Sequence, residues 1–288
     1  MNFRKVAAIT VAGAVALHLS YAIAHYVVNN AAFEAAYVED FEGTKFWEND
    51  RVTMEICCEN SVQLVTPEGG DDTAVRFQLR SDDGLVKGSK RSEFRLPAGR
   101  FEEEVWYRVR TYLPENWEDS EAAITVFQWH GVPDKALFEG NRPPPTRLLF
   151  KEGNWYLPLG WDTRILSNPW FELLGERRGN ILWSAPAPRG EWEDWVFRMT
   201  WSTSDTGRMS VWRNGKKIVE HRGPNTYRDL SAPYLKVGIY IPNWKIRPPE
   251  EPILREVYFD DVWEIYPNKT NRLPDEVNSL IEEYRARD

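Results

Sequence analysis

Three short segments of the sequence contain polar side chains that alternate with apolar ones along part or all of their length. They are Arg91–Arg95, Ile124–His130 and Tyr234–Ile241. Successive side chains of a β-strand point to opposite faces, so each segment would present one polar and one apolar face. The polar faces would then carry these residues: Arg91, Glu93 and Arg95 on the first strand, Gln128 and His130 on the second, and Tyr234, Lys236, Gly238 and Tyr240 on the third.

Taken singly, each polar face is also typical of a solvated sheet surface with cross-strand charge pairs. Taken together, these residue types match what the lysis of a uronic-acid polymer requires. The C6 carboxylate must be neutralised so that the C5 proton becomes acidic, a base must lie near C5, and an acid must protonate the leaving glycosidic oxygen. Arg and Gln can bind a carboxylate. A neutral His or a tyrosinate can take the proton, and Tyr can supply one.

The rest of the chain shows many short alternating segments separated by turn signals. Asn214-Gly215 predicts a two-residue hairpin, and helical spacing appears after Pro274-Asp275, at Val277, Leu280, Ile281 and Tyr284. We therefore predict an all-β jelly-roll sandwich with one short helix over residues 274–287, packed on its outside. The other predicted strands are Thr73–Arg80, Glu104–Tyr112, Trp195–Trp201, Met209–Val219 (containing the hairpin) and Glu256–Tyr266.

Composition narrows the classes of function. The 288 residues include 36 Lys and Arg against 44 Asp and Glu, a net charge of −8, which disfavours nucleic-acid binding. The 14 Trp, 12 Tyr and 13 Phe fit a large β core, a sugar-binding cleft, or both. Residues 131–190 hold eight of the 19 prolines and several Trp, which predicts a long, ordered, functional loop region.

The N-terminus has the pattern of a secretory signal peptide. Arg4 and Lys5 precede an apolar run from Val6 to Leu17, and Ala22-Ile23-Ala24 provides a cleavage site. We predict a signal peptide over 1–24, an extension over 25–37 and a single domain over 38–288. The protein would be secreted or periplasmic and monomeric, with no stable membrane partner after cleavage. The alternative is an uncleaved anchor that extends to Val28.

The two cysteines, Cys57 and Cys58, are adjacent. On a strand they would point to opposite faces, so we expect two free thiols rather than a strained vicinal disulfide. This pair cannot build a disulfide framework or a cysteine zinc site.

The three polar strands resemble, in order, the signature strands of jelly-roll polysaccharide lyases, a group that includes alginate lyases, glucuronan lyases and the heparin lyase I type. The resemblance spans residues 38–266. It extends to Trp192–Trp201, Val211–Lys216, Gly223–Asn225 and the closing Tyr258–Val262. It implies a concanavalin-A-like sandwich and a lyase that cleaves an anionic, uronic-acid-containing polysaccharide.

The resemblance also implies roles for individual residues. Arg91 and Gln128 would neutralise the carboxylate, with Glu93 orienting Arg91. His130 would be the base or a second neutralising group, and Tyr240 the acid or both acid and base. Lys236 would bind substrate or act on Tyr240. The predicted substrate-binding set is Lys236, Glu93, Arg95, Tyr234 and Trp129.

Departures from the family pattern limit the choice of polymer. Trp129 and Pro242 stand where alginate lyases usually have an aliphatic residue and Gln, which disfavours alginate. We predict no cofactor and assign no metal site, although some relatives hold structural calcium. The alternatives are a non-catalytic carbohydrate-binding jelly roll and a glycoside hydrolase. A hydrolase needs two carboxylates flanking the bond, and its usual Glu-x-Asp-x-Glu pattern is not found here.

An acidic protein that binds a polyanion must concentrate its cations locally. We expect one groove to collect Lys90, Arg91, Arg95, Arg142, Arg147, Lys236, Lys245 and Arg247.

Overall fold

A computed structural model of the chain describes residues 20, 34–43, 45–67, 72–135, 139–164, 166–168, 171–173, 176–271 and 273–288. The predicted signal peptide lies almost entirely outside these residues. Within them, no helix has the length and apolar character needed to span a membrane.

The described residues form seventeen β-strands, two α-helices and three short 3-10 helices. The 3-10 helices are Phe46–Glu48, Glu59–Ser61 and Pro267–Lys269, and the α-helices are α1 (Asn243–Ile246) and α2 (Asp275–Arg287). The strands are β1 (Ala36–Glu39), β2 (Thr53–Glu55), β3 (Val62–Val65), β4 (Ala74–Arg80), β5 (Arg91–Arg95), β6 (Glu104–Tyr112), β7 (Ile124–His130), β8 (Thr146–Lys151), β9 (Asn154–Asp162), β10 (Leu166–Asn168), β11 (Phe171–Leu173), β12 (Arg177–Pro186), β13 (Trp192–Thr200), β14 (Arg208–Arg213), β15 (Lys216–Arg222), β16 (Tyr234–Tyr240) and β17 (Leu254–Ile265).

Two antiparallel sheets form a sandwich, which confirms the predicted all-β jelly roll. The first sheet has the order β15-β14-β13-β6-β17-β4-β3, with β1 paired to β17. The second has the order β12-β9-β8-β7-β16-β5-β2, and β10 pairs separately with β11. The three polar strands β5, β16 and β7 are therefore direct neighbours in the second sheet, although they are far apart in sequence.

The core lies between the two sheets and accounts for much of the aromatic composition. Trp129, Trp155, Trp195 and Trp201 are fully buried there. A smaller apolar cluster forms where α2 packs on the outer face of the first sheet, through Val277, Ile281 and Tyr284 against Trp106 and Trp212. The helix and its position agree with the sequence prediction, as does the Asn214-Gly215 hairpin, in which both residues have positive φ.

Two expectations from the sequence were wrong. Residues 131–190 are not one long loop, because β8, β9 and β12 run through them; the irregular part that borders the site is confined to the segment before β8. Cys57 and Cys58 are not free thiols but form a vicinal disulfide. They lie in a bend after β2 and not on a strand, so the argument from alternating strand faces does not apply.

Gly238 allows β16 to lie close against β5. Its φ is +139°, and a Cβ at this position would lie 2.2 Å from the carbonyl oxygen of Ser92 and 2.6 Å from the Cα of Glu93. A side chain here would push apart the strands that pair Tyr240 with Arg91. The register between β16 and β7 also shifts by one residue between Val237 and Tyr240.

We predict that Gly238→Ala lowers the free energy of unfolding by about 2 kcal/mol or more, because it combines a strained φ with overlap of backbone atoms. Urea unfolding followed by tryptophan fluorescence measures the change. Gly43→Ala is the matched control, since a Cβ there meets nothing within 4 Å, and its effect should stay within about 0.5 kcal/mol. Equal effects of the two substitutions would contradict this account of Gly238.

Candidate active site

The outer face of the second sheet carries a cavity of about 420 Å³ over the polar strands. The strand residues that line it include Arg91, Thr125, Gln128, His130, Arg147 and Tyr240. The four residues predicted to be catalytic thus line one cavity. Strand pairing explains this arrangement, because Tyr240 lies opposite Arg91 on one side of β16 and Lys236 lies opposite Gln128 on the other.

A proline-rich segment forms one wall of the cavity, through Asn141, Arg142, Pro143 and Pro144. The hydroxyl of Tyr227 donates a hydrogen bond to the carbonyl of Pro143 (2.8 Å). The Arg142 guanidinium lies 4.5 Å from the centre of the Tyr227 ring and pairs with the carboxylates of Glu139 and Asp229. This wall is therefore held by aromatic and ionic contacts from outside the sheet.

His130 is arranged as a neutral proton acceptor. Its Nδ1 lies 2.7 Å from the Gly131 carbonyl oxygen. A carbonyl can only accept, so Nδ1 carries the hydrogen and Nε2 keeps its lone pair. Burial lowers the pKa of His130 below 6.5, and the nearby Lys236 charge lowers it further, while the Gly131 carbonyl opposes them. The imidazole is thus uncharged at neutral pH.

Tyr240 and Tyr234 differ in their surroundings. The Tyr240 ring lies against Arg91, whose Cζ is 4.7 Å from the ring centre. Within the described residues the Tyr240 hydroxyl has no hydrogen-bond partner, so it remains available to a ligand in the cavity. Burial raises the pKa of Tyr234 to about 12, with a further contribution from Glu55. Tyr234 therefore stays protonated and is unsuited to act as a base.

Beneath the cavity lies a buried cluster of charged side chains, of which the sequence analysis predicted only some members. The Lys236 ammonium donates to Glu55 (2.8 Å) and to Glu93 (2.6 Å), and all three side chains are about 2% exposed or less. Arg91 donates to the same two carboxylates, at 3.1 and 3.3 Å. Gln128 donates from Nε2 to Glu93 (2.5 Å), while its Oε1 is buried without a partner in the described residues.

Glu55 is the residue that sequence reasoning missed. It lies on β2, a strand of three residues, and reaches the cluster because β2 pairs with β5 and places Glu55 opposite Glu93. Burial alone would raise its pKa, but the ammonium groups of Lys236 and Lys87 outweigh this effect and lower the pKa to about 2. The segment Thr53–Glu55 is too short for an alternating pattern, so the sequence offered no signal for it.

Three predicted substrate contacts need correction. Trp129 is fully buried between the sheets against Phe197, since it belongs to the apolar face of β7. Lys236 and Glu93 are buried, are bonded to each other and, unlike Gln128, do not line the cavity, so they support it from below. Glu93 does contact Arg91, as the orienting role requires.

Two other predicted contacts, Arg95 and Tyr234, remain accessible. Arg95 is about one-third exposed and lies 5.5 Å from the centre of the Tyr234 ring, and that ring lies beside His130. Of the eight cations expected in one groove, Arg91, Arg142 and Arg147 line the cavity. Lys90 instead donates to the Asp83 carbonyl.

Two clusters of potential metal ligands occur within the described residues. They are Cys57, Cys58 and Asp83, and Asp134, Glu139 and Asp229. The cysteines of the first are joined in a disulfide. In the second, Arg142 already pairs with Glu139 and Asp229. None of these six residues lines the cavity, and neither cluster leads us to assign a metal.

Comparisons with known proteins identify similar proteins at the level of family and fold. A sequence profile of the polysaccharide lyase family matches residues 40–263. An endo-β-1,4-glucuronan lyase from the fungus Trichoderma reesei superposes with a TM-score of 0.62 at 20% identity, covering 79% of this chain and 94% of that one. A family 7 alginate lyase in complex with substrate gives a TM-score of 0.49 at 15% identity, covering 73% and 83%. No curated protein sequence matches significantly.

We predict that Glu55→Gln is destabilising at neutral pH. The pKa of Glu55 lies near 2 against an ordinary 4.5, which corresponds to about 3 kcal/mol of stability. Because the folded-state pKa is lowered, this stability is present above pH 4.5 and is lost as the pH falls towards 2. Urea unfolding at pH 7 and pH 3 should therefore show a gap between wild type and variant that narrows in acid.

The matched control is Glu283→Gln, whose carboxylate is half-exposed on α2 and should contribute less than about 1 kcal/mol at either pH. A gap for Glu55→Gln that stays constant between pH 7 and pH 3 would show that its charge does not hold the cluster together.

Proposed function

The chain belongs to the polysaccharide lyase family, and from that premise we propose that it is a secreted enzyme that cleaves a uronic-acid-containing polysaccharide by β-elimination. Membership of the family confirms the resemblance inferred from the three polar strands and makes the protein an enzyme that acts on polysaccharides. The observation that carries the proposal is the shared cavity, in which a neutral His130 and an accessible Tyr240 hydroxyl lie beside cationic side chains.

In the proposed reaction, the uronate enters with its C5–H towards Nε2 of His130. Arg91 and Gln128 contact its C6 carboxylate, which disperses the negative charge that develops when the proton leaves. His130 takes the C5 proton, the C4–O bond breaks, and Tyr240 donates its proton to the leaving oxygen. The electron pair of the broken C–H bond becomes the new C4–C5 double bond, so the products need no water.

The buried cluster supports this chemistry from below. Lys236 does not line the cavity, but it bonds both Glu55 and Glu93, and Glu93 bonds both Arg91 and Gln128. The two proposed carboxylate-binding groups are therefore fixed by one shared partner before substrate arrives. Such preorganisation avoids the cost of reorienting them during the reaction.

Hydrolysis by a pair of carboxylates fits this site less well. The two carboxylates beneath the cavity, Glu55 and Glu93, are buried and already bonded to Lys236 and Arg91. A hydrolase needs one carboxyl group to protonate the leaving oxygen and the other to act on the sugar or on water. Neither glutamate is placed to reach a bound sugar.

Different observations support the choice of polymer and the location of the protein in the cell. The fold match to a glucuronan lyase makes a polyglucuronate the first polymer to test, ahead of alginate and heparin-like chains. The signal-peptide pattern at residues 1–24 supports secretion, and the Cys57–Cys58 disulfide fits an oxidising compartment. A mature N-terminus that begins after Ala24, read by sequencing of the exported protein, would test the secretion proposal.

The decisive experiment is an assay on a panel of uronate polymers. Elimination creates a conjugated double bond at the new non-reducing end, which absorbs in the ultraviolet, and the products have the mass of dehydrated sugars. Products heavier by one water and without that absorbance would show hydrolysis and overturn the proposal.

Tyr240→Phe should reduce kcat by about 10²- to 10⁴-fold while leaving polymer affinity nearly unchanged, because the hydroxyl acts in the transition state. His130→Ala should behave similarly. The controls are Tyr258→Phe and His221→Ala, on strands of the opposite sheet. Undiminished turnover in Tyr240→Phe would remove this residue from the mechanism.

The acid limb of the kcat/KM profile should have its midpoint below pH 6.5. His130 must be neutral to accept a proton, and its pKa is lowered by burial and by Lys236. Activity should therefore persist as the pH falls through 6.5 and be lost only below it. A midpoint above 6.5 that disappears in His130→Ala would contradict the environment described for the imidazole.

A further inference from the structure

Arg147 occupies the boundary between two cavities. It lies on β8 directly opposite Gln128 of β7, and it lines both the cavity described above and a second one of about 550 Å³ over β8, β9 and β12. Pro143 and Pro144 are also shared by the two cavities, and the second one adds Arg177, Arg178 and Tyr227. The two cavities therefore form one groove that runs across the strands, with Arg147 near its middle.

Arg147 differs from Arg91 and Arg142, the other arginines of the first cavity, in having no acidic partner in the described part of the chain. Arg91 is paired with Glu55 and Glu93, and Arg142 with Glu139 and Asp229. Arg147 is only partly exposed, and burial lowers its pKa; the groups close enough to oppose this effect are the phenols of Tyr227 and Tyr240, one from each cavity. A guanidinium held out of water without a counter-charge is costly unless an anion binds there.

The position of Arg147 matches the spacing of a uronate polymer. Adjacent strands lie about 4.8 Å apart, so Arg147 is displaced from Gln128 across the sheet by about the length of one sugar ring. A chain that places one uronate over Gln128 and His130 would place the neighbouring ring over β8, where the long Arg147 side chain can reach the carboxylate of that ring. The planar guanidinium suits a carboxylate, which it can bind through two parallel hydrogen bonds.

We propose that Arg147 binds the carboxylate of the uronic-acid residue next to the one that loses its C5 proton, so that the enzyme selects polymers with two adjacent uronates. This inference rests on the proposed function and extends it to a neighbouring subsite. It assigns Arg147 to ground-state binding and separates it from Arg91 and Gln128, which act on the reacting residue.

The test compares Arg147→Gln with Arg222→Gln, a control that removes one exposed charge from the opposite sheet. Initial rates are measured on polyglucuronate and on the same polymer after partial reduction of its carboxyl groups to alcohols. Arg147→Gln should raise KM on the intact polymer by about 10- to 100-fold with kcat nearly unchanged. The penalty should shrink on the reduced polymer, and Arg147→Lys should restore part of the affinity.

Three results would overturn the proposal. The first is a KM for Arg147→Gln equal to that of Arg222→Gln. The second is an equal penalty on both polymers, which would show that Arg147 contacts no carboxylate. The third is a loss confined to kcat, which would place Arg147 on the reacting residue. Thermal unfolding of Arg147→Gln tests for a purely structural effect. Removing an unpaired, partly buried cation should not lower the Tm.

Failure of the proposed function can be told apart from failure of this inference. If the wild type forms no unsaturated product, the lyase proposal fails. The subsite is then decided by calorimetry of the wild type, Arg147→Gln and Arg222→Gln with a saturated oligoglucuronate. An affinity for the oligoglucuronate that is about 10-fold or more weaker in Arg147→Gln than in Arg222→Gln supports the subsite. Equal affinities of the two variants refute it.

Discussion

The arrangement of the site depends on one buried ammonium group. Lys236 lies between the carboxylates of Glu55 and Glu93 and joins three strands, β16, β2 and β5. Removing three charges from water is costly, and their mutual attraction repays the cost only when geometry and additional hydrogen bonds are good. Here Arg91, Lys87 and Gln128 supply those bonds. The cluster thus holds β2, β5 and β16 together and, at the same time, orients Arg91 and Gln128 at the cavity.

Ion pairing within the protein also determines which charged side chains are available to a ligand. The net charge of −8 disfavours a polyanion at long range, and most cations around the cavity are already matched by carboxylates. Arg142 is used to hold the proline-rich wall, and Arg91 shares its charge with two glutamates. An anion is therefore attracted by the few positions where positive charge is left over. In the proposed function, specificity would follow from the location of Arg147, which has no acidic partner among the described residues, more than from the number of basic residues.

The sequence predicted the three polar strands and which of their side chains share a face, because alternation is a local property of each strand; it missed β8, β9 and β12 in the region predicted to be a loop. It could not predict Glu55, since a three-residue strand has no periodicity and its place opposite Glu93 is set by sheet topology. Nor could it separate Lys236 from Tyr240, which share a face: one is buried under its neighbours and the other is open to the cavity. Trp129 was assigned to substrate although its own strand pattern placed it in the core. In that case the alternation was the better guide.

The environment of His130 indicates which groups must supply most of the rate acceleration in the proposed reaction. A base whose pKa is lowered below 6.5 is available at neutral pH, but it is also a weak base towards a carbon acid. Strengthening the base by removing the nearby cations would weaken the stabilisation of the anion that forms. Burial is the main cause of the lowered pKa of His130, and the positive charges of Lys236 and Arg91, which lower this pKa further, also favour negative charge on the substrate carboxylate. In such a site the rate is therefore governed more by the groups that hold the carboxylate than by the group that removes the proton.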